Sequence, residues 1–511
     1  MQTAPNQTQT THPKQRSARS VHSDHRSDHH SDHHSDQGSD QSANAGADGQ
    51  KLVLSEVLRS RRINLARLVD FPVLLWSGVS KPRNFAANTY PFRASSHFLY
   101  FAGLPLENAA IRLDGSSLTL FLDDSSADDA LWHGPTPSRD QIAEHIGADE
   151  ARPLADLAQF SQGTATLGDQ DEAVRAMEKT LLAKGIVLQR HHPMGNQDLE
   201  KAIVQLRMIQ DAGAIAAIRK AIAVSIRAHK AGMAATRLSS DSLTITEAHI
   251  RAAMEAVITG HNMSCAYNSI VTIAGEVLHN HHYHNPLGPH DLLLADVGAE
   301  TADGWASDIT RTWPVSGKFS TTQRDLYDIV LAAHDVCIDK AKAGVEYQSI
   351  HLTACETIAT GLVDLGILKG RPEDLVAEDA HALFFPHGVG HLMGLDVHDM
   401  EDLGDLSGYA EGRVRSDRFG LAFLRLNRPL AVGMAVTIEP GFYQVPAILN
   451  DPKNRDRYAN MVDWERLSEF SDVRGIRIED DILITTAGNE VLSLDLPTAA
   501  SDIEALVGTE K

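Results

Sequence analysis

Cysteine is scarce in this chain: Cys265, Cys337 and Cys355 are the only three in 511 residues. They are odd in number, lack metal-site spacing, and fit a reducing, cytoplasmic compartment as small apolar side chains. Positive charge is also short. Lys and Arg total 46 against 68 Asp and Glu, a formal net charge of −22. That balance argues against nucleic acid, whose phosphates need basic patches, and favours solubility rather than a particular partner. Long apolar runs are missing too. Nothing approaches the roughly 20 apolar residues needed to span a bilayer, so no membrane association is expected. No apolar segment follows Lys14, Arg16 and Arg19, so the start does not read as a secretory signal.

What is present divides into three parts. Residues 1–50 carry Ser-Asp-His units between Val21 and Asp40 and almost nothing apolar. Such a segment cannot bury enough surface to offset its ordering entropy and is expected to be a disordered, solvated spacer. His-rich tracts can also chelate metal. The rest is too long for one core, so two domains are expected, at 51–198 and 199–511. In the first, Val53 to Leu68 is amphipathic and Pro72 to Trp76 reads as a strand. Ala110 to Leu122 reads as a hairpin around Asp114-Gly115, and Asp171 to Lys184 as a helix. Pro193 to Asp198 reads as the linker. In the second, Ile215, Ile218, Ile222 and Ile226 mark one face of a long helix. Thr244 and Glu247 suggest a capping box for the next. Leu326, Ile329, Val330 and Ala333 mark another helix.

Five residues of the second part have the types of a two-metal hydrolase site: Asp296, Asp308, His391, Glu439 and Glu479. Four carboxylates and an imidazole cannot be buried unpaired, whereas two divalent cations would satisfy them all. Leu292 to Ala295 is a short apolar strand ending at Asp296. Asp303-Gly304 supplies a turn, and Trp305 to Thr312 returns as a strand carrying Asp308, a hairpin that sets the two aspartates opposite each other. Met434 to Glu439 reads as a strand closed by Pro440-Gly441. Gly475 to Ile484 reads as another, with Arg477 and Glu479 on one face. The glycines between His387 and His391 let the backbone bring both imidazoles near one point.

Several blocks together resemble the proline-specific metallopeptidases of the pita-bread fold, the aminopeptidase P and prolidase family. They are Asp296-Val297-Gly298, Asp308 to Pro314, His387 to His391, Leu395 to Asp399, Thr437 to Gly441 and Arg477 to Asp481. The likeness runs from about Leu206 to the C-terminus. The interval from Asp296 to Asp308 is one residue longer than the family spacing, which reads as a longer hairpin tip. The resemblance implies an α+β (mixed α/β) fold: helix pairs on a curved antiparallel sheet, preceded by a smaller mixed α/β domain. Within that smaller domain, Tyr90 to Gly103 looks like the N-terminal domain of aminopeptidase P. In the family this domain builds oligomer contacts, so a homo-oligomer, dimer or tetramer, is expected.

The resemblance also assigns roles. Asp296, Asp308, His391, Glu439 and Glu479 would hold two divalent metal ions per subunit. Oxygen-rich ligands suit manganese better than copper. His279 and His398 would hold the substrate or the developing oxyanion, and His387 would support the metal ligands from behind. Glu439 would carry the proton to the departing proline nitrogen, with Tyr443 and Arg477 as supporting contacts. Isolated histidines such as His281, His282, His284 and His290 read instead as solvated side chains. Arg477 competes with a plainer role as an ion-pair partner of Asp480 or Asp481.

The expected substrates are peptides that begin Xaa-Pro, cleaved after the first residue. Prolidase, an Xaa-Pro dipeptidase, is the alternative. It rests on the stretch from Gly408 to Gly433, where Arg425 stands at the place of an arginine that grips a dipeptide carboxylate. A non-catalytic binding protein of the same fold is a third reading, but such relatives generally lack some of the five ligands.

Overall fold

A computed structural model describes residues 54–167, 193–237 and 244–509. The expected tail at 1–50 and the helix expected at Asp171 to Lys184 lie outside them. No helix among the described residues is long and apolar enough to cross a membrane.

The first part is a four-stranded sheet, with Val73–Trp76, Ala110–Asp114 and Ser117–Phe121 antiparallel and Glu150–Arg152 added in parallel. The hairpin expected at Asp114-Gly115 forms, and Gly115 takes the positive φ (+55°) its two-residue turn demands. The amphipathic stretch after Val53 is the helix Leu54–Ala66, which buries Leu58 and Leu65. Within Tyr90 to Gly103, the helix Ser96–Ala102 is buried along its whole length.

Two helix pairs follow. Ala212–Ala235 packs on Glu247–Gly260, and Thr321–Lys340 packs on Tyr347–Asp364. Ile218, Ile222 and Ile226 are buried on the first helix, as their spacing predicts, while Ile215 is only half-buried. The pairs flank antiparallel strands in two sets: Ile270–Thr272, Leu292–Asp296 and Thr310–Pro314, then Ala435–Ile438, Asp480–Thr485 and Gly488–Val491. Gly441–Tyr443 pairs with Gly475–Arg477, and a bridge from Thr310 to Glu479 ties the two sets together. One apolar cluster runs from Leu58 and Phe98 through Ile218 to Trp313 and Leu395, so the first part shares its core with the second.

Four local expectations change. The expected linker at Pro193 to Asp198 opens the helix Pro193–Arg207 instead. Proline suits a first helical position, where no N–H is needed. The cap of Glu247–Gly260 is Thr246, whose N–H donates to His249 Nδ1 at 3.1 Å. Glu247 is buried instead, accepting from Thr272 Oγ1 (2.9 Å) and Ile273 N–H (2.8 Å). The strand expected from Trp305 begins only at Thr310, so Asp296 faces Thr310, with Asp308 two residues before the ladder. The strand expected from Gly475 to Ile484 breaks after Arg477 and resumes at Asp480. Its partner breaks at Glu439-Pro440, because proline has no N–H to continue the ladder. The backbone N–H groups at the two breaks go elsewhere: Glu439 to Val389 O (2.8 Å) and Glu479 to Thr310 O (3.1 Å).

Candidate active site

Both breaks open onto one cavity of about 690 Å³, lined by Asp296, Asp308, His391, Glu439 and Glu479 together with His279, His387, His398, Arg425 and Arg477. Tyr443 lies behind this wall, its hydroxyl reached by Arg477. The strands deliver the carboxylates to a common point. Asp296 ends its strand, while the two glutamates sit where paired strands part.

Three overlapping groups have ligand atoms within 4.8 Å of one another: Asp308, His391 and His398; His391, Glu439 and Glu479; and Asp296, Asp308 and Glu479. His391 Nε2 lies 3.4 Å from Asp308 Oδ2 and 3.7 Å from Glu439 Oε1. Its Nδ1 lies 3.0 Å from the Leu392 carbonyl. A proton on Nδ1 donated there leaves the Nε2 lone pair facing the carboxylates, the tautomer a metal ligand needs.

The carboxylates crowd one another. Burial first, then the Asp296 charge, pushes Asp308 up to about 8. Burial pushes Glu439 up to about 7 against the pull of His391 and Arg477. Burial and the Asp308 charge push Glu479 well above the usual range. Such a set resists ionisation by itself and is relieved by cations, so the residues fit a metal site in chemistry as well as in position.

Protein donors offset only part of this charge. Arg477 donates from Nη2 to Asp296 Oδ2 (2.6 Å), from Nε to Thr310 Oγ1 (3.1 Å) and from Nη1 to the Tyr443 hydroxyl (3.0 Å). It is therefore not the partner of Asp480 or Asp481. Arg311 holds Asp480 at 2.8 Å, and Asp481 accepts the Asp308 N–H at 3.0 Å. Thr310 donates its hydroxyl to Glu479 Oε2 at 2.6 Å, so Arg477 and Glu479 meet on one face despite the break. The Tyr443 hydroxyl lies 2.9 Å from His387 Nε2, and His387 Nδ1 lies 2.8 Å from the Gly388 carbonyl. Burial and the Arg477 charge hold His387 down at about 3, so the imidazole is neutral and accepts from Tyr443.

Two further residues carry no motif signal. The Tyr267 hydroxyl lies 2.5 Å from Asp296 Oδ1 and 2.6 Å from Asp308 Oδ1, so one proton serves two carboxylates. Glu401 lies 3.3 Å from His398 Nδ1 and binds Arg425. The His398 ring stands edge-on to His391, centroids 4.2 Å apart. Burial, with His391 nearby, lowers the pKa of His398; burial and Arg477 lower that of His279 at the mouth.

Comparison with known proteins agrees in both parts. Residues 216–486 match metallopeptidase family M24, and residues 58–172 match the aminopeptidase P N-terminal domain. A probable Xaa-Pro aminopeptidase of Pyrenophora tritici-repentis is 31% identical over 421 residues, covering 82% of this chain and 87% of its own length. One of Podospora anserina is 33% identical over 426 residues, covering 80% and 86%. Among solved structures, Escherichia coli aminopeptidase P with the inhibitor Pro-Leu superposes with a TM-score of 0.72 at 27% identity, over 88% of this chain and 98% of that one. Proline aminopeptidase P II of Yersinia pestis gives 0.70 at 28%, over 88% and 99%. The fold is thus the pita-bread fold preceded by an aminopeptidase P-type domain, and the chain belongs to the aminopeptidase P family of M24 metallopeptidases.

Proposed function

We propose that this chain is an Xaa-Pro aminopeptidase, releasing the first residue of peptides with proline second. The observation that carries the reading is the convergence of Asp296, Asp308, His391, Glu439 and Glu479 in one cavity with His279 and His398. Relatives named as probable Xaa-Pro aminopeptidases support it along most of the chain.

The five residues would hold two divalent ions per subunit, with manganese the expected metal for an oxygen-rich set. When bound, such ions supply Lewis acidity and make water nucleophilic near neutral pH. The chain's own groups do the rest. Glu439 takes the proton of the attacking water and passes it to the departing proline nitrogen. His398, backed at Nδ1 by Glu401, can carry a proton on Nε2 towards the carbonyl oxygen as it becomes an oxyanion. His279 holds the substrate at the mouth. Arg477 and Tyr443 fix Asp296 and His387 in place.

A homo-oligomer in the cytoplasm, acting on peptides rather than nucleic acid, completes the proposal. The family likeness of the first part and the three free cysteines support it. The dipeptidase alternative keeps one observation in its favour, since Arg425 lines the same cavity. Manganese-loaded protein given Xaa-Pro dipeptides and Xaa-Pro-Yaa peptides side by side decides between them. The aminopeptidase reading expects the longer peptides to be cleaved at least as fast. If they are untouched while dipeptides are cleaved, the chain is a dipeptidase.

A further inference from the structure

Three arginines line the cavity, and each is already paired with a carboxylate. Arg477 holds Asp296 at 2.6 Å, Arg415 holds Asp405 at 2.6 Å, and Arg425 holds both oxygens of Glu401 at 2.7 and 2.5 Å. The last contact runs from one nitrogen, Nη1, to both carboxylate oxygens, so Glu401 neutralises the guanidinium through a shared, charge-assisted bond.

Glu401 is set in place on both sides. Asp399 accepts from Arg207 Nη2 at 2.6 Å, and Asp402 accepts from His97 Nε2 at 2.8 Å. Between them Met400 is buried in a left-handed conformation (φ 59°), its carbonyl accepting from Ser407 Oγ at 2.9 Å. Arg425 is held as firmly, since the Tyr409 hydroxyl donates to Leu424 O at 2.7 Å and Asn427 N–H to Gly408 O at 2.8 Å. Arg425 is half-buried and Glu401 exposed, but they face each other from pinned backbones.

We propose that Glu401 is a specificity-determining residue: by occupying Arg425 it selects peptides that continue beyond proline over Xaa-Pro dipeptides that end in a free carboxylate. This rests on the Xaa-Pro peptidase reading. A dipeptide carboxylate must either displace Glu401 from Nη1 or share the guanidinium with it, and in both cases it lies beside a second anion, a like-charge penalty. A longer peptide presents a neutral amide at that place and meets no such penalty. Recognition by a cationic grip, as Arg425 alone implies, becomes exclusion by an ion pair.

The test uses the metal-loaded full chain and two substrates differing only in this charge, alanyl-proline and alanyl-proline amide. Each enzyme's ratio of kcat/KM for amide over acid cancels any loss common to both, including one passed through His398. Wild type should favour the amide, and Glu401→Gln should lower that ratio by about tenfold, chiefly through the KM for the acid. Glu401→Ala should move it the same way. Adding Arg425→Ala to Glu401→Gln should abolish the gain, because the freed guanidinium is its source. A ratio within about twofold of wild type in both single variants, or a gain that survives loss of Arg425, overturns the inference. If wild type cleaves neither substrate nor any longer Xaa-Pro peptide, the peptidase reading itself fails instead.

Discussion

Arg477 and Asp296 are joined by an ion pair of 2.6 Å between two buried side chains, and the same guanidinium also donates to Thr310 and Tyr443. A lysine keeps the charge but cannot serve three acceptors in one plane. Arg477→Lys should therefore weaken metal binding by roughly 10–100-fold, the usual cost of removing a group that orients ligands. Manganese titration checks this, and unchanged affinity would show that Arg477 does not orient Asp296.

Asp308→Ala and Glu479→Ala should each remove metal and reduce peptide cleavage at least ~10³-fold, as expected when one member of a catalytic unit is lost. Both should still melt cooperatively, because the apolar clusters lie elsewhere. Metal content by mass spectrometry and thermal melting are the two readouts. Full activity in either variant after stripping and refilling with manganese would sink the ligand assignment.

Without metal, stability should fall as pH rises from about 4 to about 8 and then level off. Burial is the largest cause that raises Asp308 to about 8 and Glu439 to about 7. The folded state thus keeps protons that the unfolded chain releases above about 4. Their contribution is full below that pH and is lost as pH climbs through the folded values. Metal requires the deprotonated groups, so its affinity should rise over the same interval. Melts of chelated and manganese-loaded protein should diverge with pH; parallel curves would contradict the titration.

Acid should act on different groups. His229, His351 and His381 are held down at about 4, in each case chiefly by burial. For a depressed histidine the stabilisation is present above the unfolded value near 6.5 and is lost as pH falls towards 4. Between pH 6.5 and 4 the histidines thus oppose the gain from Asp308 and Glu439, and His351→Gln should remove part of that loss from the chelated protein; an unchanged melting profile in this range would refute the buried neutral state of His351.

Gly390→Ala tests the close approach beside His391. Gly390 has φ +153°, and a Cβ there would stand 2.2 Å from Thr437 O and 2.3 Å from the Tyr347 hydroxyl. Overpacking of this kind costs ~1–3 kcal/mol, and here the backbone that must shift also carries the imidazole. Loss of both melting temperature and metal affinity is expected. Loss of stability alone would mean that His391 is placed independently of its neighbour.

The parts legible in the sequence were those whose signal is local. Leu292 to Asp296 showed a buried strand by its apolar run, Asp114-Gly115 showed a turn, and the carboxylates and histidine that converge in the cavity stood in recognisable blocks. Tyr267 and Glu401 were invisible because their contacts reach across the chain from loops without periodicity or motif. The break at Ile478-Glu479 was hidden for a related reason: it follows from Pro440 on the facing strand, so only the pairing reveals it. Pro193 misled in the other direction, since the same residue type both ends and begins helices.

The segment that bears His398 is gripped from the other end of the chain. Arg93 donates to Leu395 O, Ser96 to Asp396, and His97 to Asp402, while Arg207 bridges His97, Asp396 and Asp399. A shortened protein beginning after this set would strand three aspartates and leave His398 on an untethered loop. Grafting the first part of a relative onto this second part would keep Arg207 but loosen Leu395, Asp396 and Asp402 unless counterparts of Arg93, Ser96 and His97 came with it. The two regions are thus a matched pair, and recombination between family members has to respect that pairing even where each region could be exchanged by fold alone.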